Sequence, residues 1–264
     1  MKRIAVIPNN SKDIGLVNTK RLVEFLNGKA EIYIDEAYSV LGLNVNYVAE
    51  NEILDNAEYL IVLGGDGTIL QRAAECAKRK IPVLGINLGK IGFMTEIEID
   101  DMEDAISKFL QDDFTVEKRM MMKAEIRKEN KIQFSFHALN DVVVSKVAGE
   151  KLIYMELSTD GVAVNRYTAD GLIIATPTGS TGYSISAGGP VVDPCMRLYV
   201  ATPICAHMLS VRSAVLSSNK DIRIKLDGEY GNADEVIITE SEYDFELIKI
   251  GEQSFYDTLI KKLS

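Results

Sequence analysis

Residues 58–68, Glu58-Tyr-Leu-Ile-Val-Leu-Gly-Gly-Asp-Gly-Thr68, decide the reading of this chain. The run from Glu58 to Leu63 is nearly continuous in apolar residues, as a parallel strand covered on both faces must be. It passes straight into Gly64-Gly65-Asp66-Gly67-Thr68, and from Thr68 to Lys80 the apolar spacing turns helical. A strand, a glycine-rich turn and a helix in that order present backbone N–H groups and a helix N-terminus at the end of a sheet, an arrangement suited to phosphate. Glycines allow the close backbone approach and the positive φ that a cupped turn needs. Two familiar phosphate patterns do not fit. Gly65-x-Gly67 begins a dinucleotide fingerprint, but its third glycine position is Leu70 and no acidic residue follows about twenty positions on. The Walker pattern is absent, since Gly85 to Lys90 is one spacer short.

Asp66 is the informative residue of the turn. A carboxylate among phosphate-binding amides repels a triphosphate unless a metal intervenes or the group faces an acceptor hydroxyl, and a kinase needs such a base or orienting group. The plain alternative is that Asp66 caps the helix that follows. Both readings are open at this point.

Outward from the turn, Lys2 to Ile7 and Ile81 to Ile86 (opened by Pro82) read as strands, and Val17 to Leu26 and Asp101 to Gln111 as helices. Residues 1–115 are thus expected to form a doubly wound α/β nucleotide-binding domain. After Phe114 the pattern changes to short alternating segments: Thr115 to Arg127, Gln133 to Phe136, Asp141 to Ser145, Leu152 to Thr159 and Val162 to Tyr167. Residues 116–250 are expected to form a β-rich second domain. Within it, Thr168 to Pro190 (TADGLIIATPTGSTGYSISAGGP) reads as a turn-rich functional loop between strands. Ser254 to Leu263 has helical spacing, and residues 251–264 are expected to pack back on the first domain.

Composition narrows the function. With 264 residues, 47% hydrophobic, the chain can bury an ordinary core. A net charge of −10 argues against nucleic acid as the main partner, so phosphate must be held by local features. The apolar run near the start, Ile4 to Ile7, is far shorter than a secretory segment, and no stretch reaches the length of a membrane span. Cys76, Cys195 and Cys205 are odd in number and lack metal-ligand spacing with His137 and His207, so no metal-ligating residue is named. The cysteines read as small buried hydrophobes of a reduced, cytoplasmic protein and the histidines as structural.

Gly64 to Thr68 resembles the signature shared by NAD kinases, diacylglycerol and sphingosine kinases and, more loosely, phosphofructokinases. Four further blocks are similar to the NAD kinase family in order and spacing. They are Leu88 to Glu96 (LGKIGFMTE); Ala138 to Asp141 (ALND, with Asp where the family has Glu); Asp170 to Pro190, with Gly182 where Ala is usual; and Thr202 to His207 (TPICAH). The resemblance implies transfer of the terminal phosphoryl group of ATP, carried with Mg²⁺ or another divalent cation, to the 2′-hydroxyl of the adenosine ribose of NAD. It makes Asp66 the catalytic base or orienting carboxylate, and Gly64, Gly65, Gly67 and Thr68 the nucleotide-phosphate loop. Asn140 and Asp141 fall on the adenosine half of NAD, and Gly67, Asp170, Thr181, Gly182, Tyr183, Ser184, Ile185 and Ser186 on the rest of its pocket. Lys151 stands where a basic residue near the acceptor's phosphates is common, with a solvated surface lysine as its other reading. Thr168 replaces an Arg of some relatives, and Glu229 follows Asp227-Gly228 where Gln is common. The family is homo-oligomeric, often tetrameric, with no membrane or nucleic-acid partner. A lipid kinase sharing the turn and a silent NAD(P)-binding sensor are the alternatives. The polar block Thr176 to Ser186 disfavours the first, and Asp66 the second.

Overall fold

The order of the parallel strands places the glycine turn at the centre of the first sheet. Strands β1 (Lys2–Pro8), β2 (Ala30–Asp35), β3 (Asn46–Val48), β4 (Tyr59–Gly64) and β5 (Val83–Asn87) are all parallel and lie in the order β3-β2-β1-β4-β5. The fold is that of a computed structural model describing residues 1–90, 92–95, 97–147, 149, 151–207, 212–227, 233–251 and 254–263. From β1 the chain winds to one side through β2 and β3, then returns to build β4 and β5 on the other. The winding therefore reverses between β1 and β4, and in such sheets ligands bind outside the carboxyl ends of the strands at that reversal. Asn9 and Gly65 follow directly on those two strand ends, joined through Asn9 N–H to Leu63 O at 2.8 Å.

Helices α1 (Val17–Leu26), α2 (Asp66–Arg79) and α3 (Met102–Leu110) flank this sheet, and the two-residue strand β6 (Ile97–Glu98) pairs with β5. Helix α1 packs Leu22, Val23 and Leu26 into a core with Ile4, Val6, Ile61, Leu63, Leu84, Ile86 and Phe109. Each such buried aliphatic contributes about 1.5–3 kcal/mol. Helix α2 starts two residues earlier than its periodicity suggests, because Gly65 is already extended (φ −146°) and acts as the N-cap. It stops at Lys80, whose left-handed backbone (φ 56°) ends the hydrogen-bond ladder.

The chain divides into two compact units, residues 1–118 with 245–264, and residues 119–244. The expected boundaries were 115 and 250. They differ because β7 (Thr115–Lys128) and β16 (Glu235–Lys249) are long single strands with no turn at the division. The last residues of β16 belong to the first unit, where Leu247 pairs with Val83 and Phe245 and Leu247 are fully buried. Helix α5 (Phe255–Leu263) belongs to that unit too, with the Phe255 ring 5.4 Å from Phe93 and Lys262 Nζ 4.2 Å from the Phe93 ring centre.

The second unit is β-rich as expected. A hairpin of β7 and β8 (Lys131–Ala138) leads into β9 (Asp141–Ser145), β10 (Ile153–Thr159), β11 (Val162–Ala169), β12 (Gly171–Ala175), β13 (Leu198–Ile204), β14 (Ala214–Ser217) and β15 (Ile222–Leu226). Two antiparallel arrays, β14-β13-β12-β9 and β11-β10-β15-β16, share a core that includes Leu157, Tyr167, Leu172, Ile174, Ile224 and Ile238. One expectation is corrected: residues 168–190 are not a continuous loop. Gly171 to Ala175 form the fully buried strand β12 between β9 and β13. A strand covered on both faces shows no alternation, and the polar residues around these five hid it. Only Thr176 onward forms the connection, with a 3₁₀ turn at Thr178–Thr181 and the one-turn helix α4 (Tyr183–Ser186).

Candidate functional site

In the first unit the Asp66 carboxylate does not cap α2. No side-chain cap bond is present there; the carboxylate turns instead to the segment after β5. Its Oδ1 accepts from Met94 N–H (3.0 Å), Thr95 N–H (3.1 Å) and the Thr95 hydroxyl (3.2 Å), and its Oδ2 from Phe93 N–H at 2.8 Å. The capping alternative is thereby set aside. A carboxylate offers about four lone-pair directions, so among the described residues the unshared one lies on Oδ2, which keeps capacity for a further hydroxyl.

Two glycines make this contact possible. A Cβ on Gly92 would stand 2.0 Å from Asp66 Oδ1, and one on Gly85 2.7 Å from Met94 O and 2.9 Å from the Thr95 methyl. Residues the sequence reading passed over complete the turn. Asn9 Nδ2 donates to Thr68 Oγ1 at 2.8 Å, while its Oδ1 accepts from Lys12 N–H at 3.2 Å. The Lys12 ammonium lies over the turn: a Cβ on Gly65 would be 2.6 Å from Nζ, and one on Gly89 3.4 Å. Asn87 holds the Leu88-Gly89 turn through both ends of its amide, at 3.1 and 3.0 Å. Gly67 is exposed and faces open space.

In the second unit Asn140 immediately precedes β9 and Asp141 begins it, beside the end of β12, where Asp141 pairs with Ala175. The 3₁₀ turn is laid against them. Thr176 N–H donates to Asn140 O (2.8 Å), Thr176 Oγ1 to Leu139 O (2.5 Å), and Gly179 N–H to Thr176 Oγ1 (3.1 Å). A Cβ on Gly182 would lie 3.5 Å from Asn140 Nδ2 and 3.8 Å from Asp141 Oδ2, so these three expected residues form one cluster. Asn140 Oδ1 is buried without a hydrogen-bond partner among the described residues, an acceptor available to a ligand. Tyr183 is 48% exposed at the edge of the cluster, Thr181 and Ile185 are half-buried and Ser186 is exposed. Ser184 is different: fully buried, with its hydroxyl spent on Thr202 Oγ1 at 3.0 Å. It shapes the turn from beneath.

Burial holds the Asp141 carboxyl above the usual range for aspartate. A raised native pKa favours the neutral form, so its stabilising share is complete below the ordinary value of about 3.9 and is lost as pH rises through the native value. Asp141→Asn should therefore melt at a higher temperature than the parent at pH 7, the gap closing as pH falls below about 4. Equal melting temperatures at pH 7 would show that the ionised carboxylate costs nothing there.

Asp170 stands apart. It precedes Gly171 at the opposite end of β12 from Asp141, about 17 Å away at 3.3 Å per residue along the strand. Its carboxylate pairs with Lys146 Nζ at 2.6 Å, a partner the sequence reading did not identify. Around it, Lys146 N–H donates to Asp170 O at 2.9 Å and His207 N–H to Thr168 O at 2.9 Å. Lys151 is exposed.

Residues 6–114 match the ATP-NAD kinase N-terminal domain and residues 139–257 the ATP-NAD kinase C-terminal domain. The chain belongs to the NAD kinase family. An NAD kinase of Caldanaerobacter subterraneus subsp. tengcongensis is 38% identical over 281 residues, covering 100% of this chain and 99% of that one. An NAD kinase of Lachnoclostridium phytofermentans is 40% identical over 245 residues, 90% of this chain and 84% of its own. Among solved structures, an NAD kinase from Archaeoglobus fulgidus in complex with ATP superposes with a TM-score of 0.78 at 28% identity, covering 99% of this chain and 98% of that one. Yeast NADH kinase complexed with NADH shares the fold at TM-score 0.90 and 22% identity, covering 100% and 87%.

Of the blocks that carry the resemblance to NAD kinases, Ile91, Glu96, Gly228 and Glu229 lie outside the described residues. Two minor expectations change. Cys76 is buried, its thiol pushed up to about 12 by desolvation, but Cys195 and Cys205 are exposed. Each of those two sits in a turn, where the backbone and not the apolar character of sulfur decides exposure; Cys205 has φ 46°. His137 is structural, its Nδ1 2.9 Å from Ser241 Oγ, whereas the His207 side chain is exposed. No described helix is long and apolar enough to cross a membrane.

Proposed function

We propose that this protein transfers the γ-phosphoryl group of ATP to the 2′-hydroxyl of the adenosine ribose of NAD, giving NADP and ADP. The observation that carries the reading is Asp66, a carboxylate anchored by backbone amides at the mouth of a strand-turn-helix phosphate loop, with acceptor capacity left on Oδ2. In this reading Oδ2 receives the 2′-hydroxyl proton while the ribose oxygen bonds to the γ-phosphorus. The bond from that phosphorus to the β–γ bridging oxygen breaks, and its electron pair leaves with ADP. Asn140, Asp141, Gly182 and Tyr183 hold the adenosine half of NAD, Asp170 and Lys151 contact the acceptor further along, and Gly64, Gly65, Gly67 and Thr68 take phosphate. A divalent cation such as Mg²⁺ would fit a loop with a single carboxylate, since it would be held mainly by the donor's phosphates and water and would supply charge neutralisation there. The protein acts in the cytoplasm as a homo-oligomer, a tetramer by family resemblance. Phe134 and Phe136, which share one face of β8 and are 65% and 40% exposed, support self-association.

Purified protein with ATP, Mg²⁺ and NAD should yield a product that an NADP-specific dehydrogenase reduces, and should leave diacylglycerol and sphingosine micelles unlabelled. A pocket of polar groups rejects ligands that leave them unpaired, often by about 10⁴-fold. Phosphate on a lipid, or on the 3′-hydroxyl of NAD, would overturn this assignment.

A further inference from the structure

We propose that a cavity in the first unit, at the carboxyl ends of β1 and β2, is the pocket for the purine base of the phosphoryl donor, and that Lys12 binds the donor's phosphates across Gly65. This rests on the kinase reading above and adds where the donor lies.

The cavity has a volume of about 260 Å³ and is walled by Pro8, Asn10, Asp35, Tyr38, Ile53 and Arg72. It opens beside the reversal in strand order, where an open α/β sheet receives its ligand. Thr68 and Asn9 line it as well as joining the glycine turn, so cavity and turn are continuous. Ile53 is buried and apolar, and Tyr38 offers a half-buried ring, flat surfaces against which a base can pack.

Charge separates the base end from the phosphate end. Arg72 is the cation of the cavity, but it is neutralised by Glu50 and approached by Glu75 at 3.9 Å, while Asp35 adds a further negative charge. Such a lining repels phosphate. It suits an exocyclic amine, since among the described residues Asp35 uses only Oδ1, on Ala37 N–H (2.9 Å), and leaves Oδ2 to accept. Lys12 is the converse. It makes no ion pair among the described residues, and its ammonium lies over both Gly65 and Gly89. A triphosphate running from the cavity past Thr68 to the open face of Gly67 passes beneath it.

Gln71 is exposed on α2 and lines the cavity, so an indole there fills the space without disturbing a core. Calorimetric titration of ATP, of inorganic tripolyphosphate and of NAD, each with Mg²⁺, into the intact protein tests the assignment. Gln71→Trp should weaken ATP roughly tenfold or more while leaving tripolyphosphate and NAD close to parental values, and Lys12→Ala should weaken ATP and tripolyphosphate alike. Tyr38→Ala should weaken ATP alone, and unchanged NAD binding certifies that each variant is folded. ATP bound by both Gln71→Trp and Tyr38→Ala as tightly as by the parent would sink the base pocket and leave the kinase reading intact. A parent protein that forms no NADP from NAD and ATP would sink that reading instead.

Discussion

Asp66→Asn lowers kcat by roughly 10²–10⁴, the range expected when a positioned acid or base is removed. The carboxylate here has two tasks. Its Oδ2 is the atom with capacity for the acceptor hydroxyl, and its two oxygens together gather the N–H groups of Phe93, Met94 and Thr95. A carboxamide cannot do both. Whichever way it flips, an NH₂ faces a backbone N–H, either that of Phe93 or those of Met94 and Thr95, and an orphaned donor costs about 1–3 kcal/mol. The variant should therefore lose turnover and also melt below the parent, with NAD affinity in the second unit's cluster largely kept. Steady-state kinetics with NAD and ATP varied separately, together with a melting curve, check both parts. Parental turnover with a lowered melting temperature would assign Asp66 to holding the 92–95 segment and remove it from the chemistry.

Gly179→Ala breaks the other cluster. A Cβ at Gly179 would lie 2.0 Å from Asn140 O and 2.5 Å from Asn140 C. These are backbone atoms of the residue just before β9, so nothing flexible can yield. The 3₁₀ turn must lift off Asn140, and the 2.8 Å bond from Thr176 N–H to Asn140 O goes with it. Overpacking of this kind costs about 1–3 kcal/mol, and KM for NAD should rise at least tenfold, more than that for ATP, because Asn140 and Asp141 move relative to the turn. Gly182→Ala is the control. Its Cβ would meet Gly179 O at 3.3 Å and side-chain atoms only beyond that, and the family usually carries Ala at this place. It should leave KM and melting temperature near parental values. An unchanged KM for NAD in Gly179→Ala would show that the turn and Asn140 do not form one acceptor site.

The α/β character of the first unit was legible in the sequence because parallel strands and amphipathic helices write their environment into local periodicity, whereas strands β2 and β3 and the order of the sheet came only from the structure. Val17 to Leu26 is a helix and Asp141 to Ser145 a strand within the limits read from pattern alone. The glycine turn was equally legible, since strand, turn and helix are contiguous. Strand β12 was not, because full burial removes the alternation by which strands are recognised, and the glycines and threonines around it have the composition of a loop. Motif reading also treated Asp170 and the Thr181 to Ser186 turn as one group. Register along β12 separates Asp170 from Asp141, and Ser184 is turned inward onto Thr202. Residue identity and local spacing therefore placed a phosphate-type turn on its strand and helix, and the resemblance to NAD kinases supplied the chemistry expected of it. Tertiary structure alone decided what the Asp66 carboxylate holds, which cation lies over Gly65 and which hydroxyls remain for a ligand. Those contacts join residues far apart in the chain, Asp66 with Thr95, Lys12 with Gly65 and Ser184 with Thr202, and only packing brings such pairs close together.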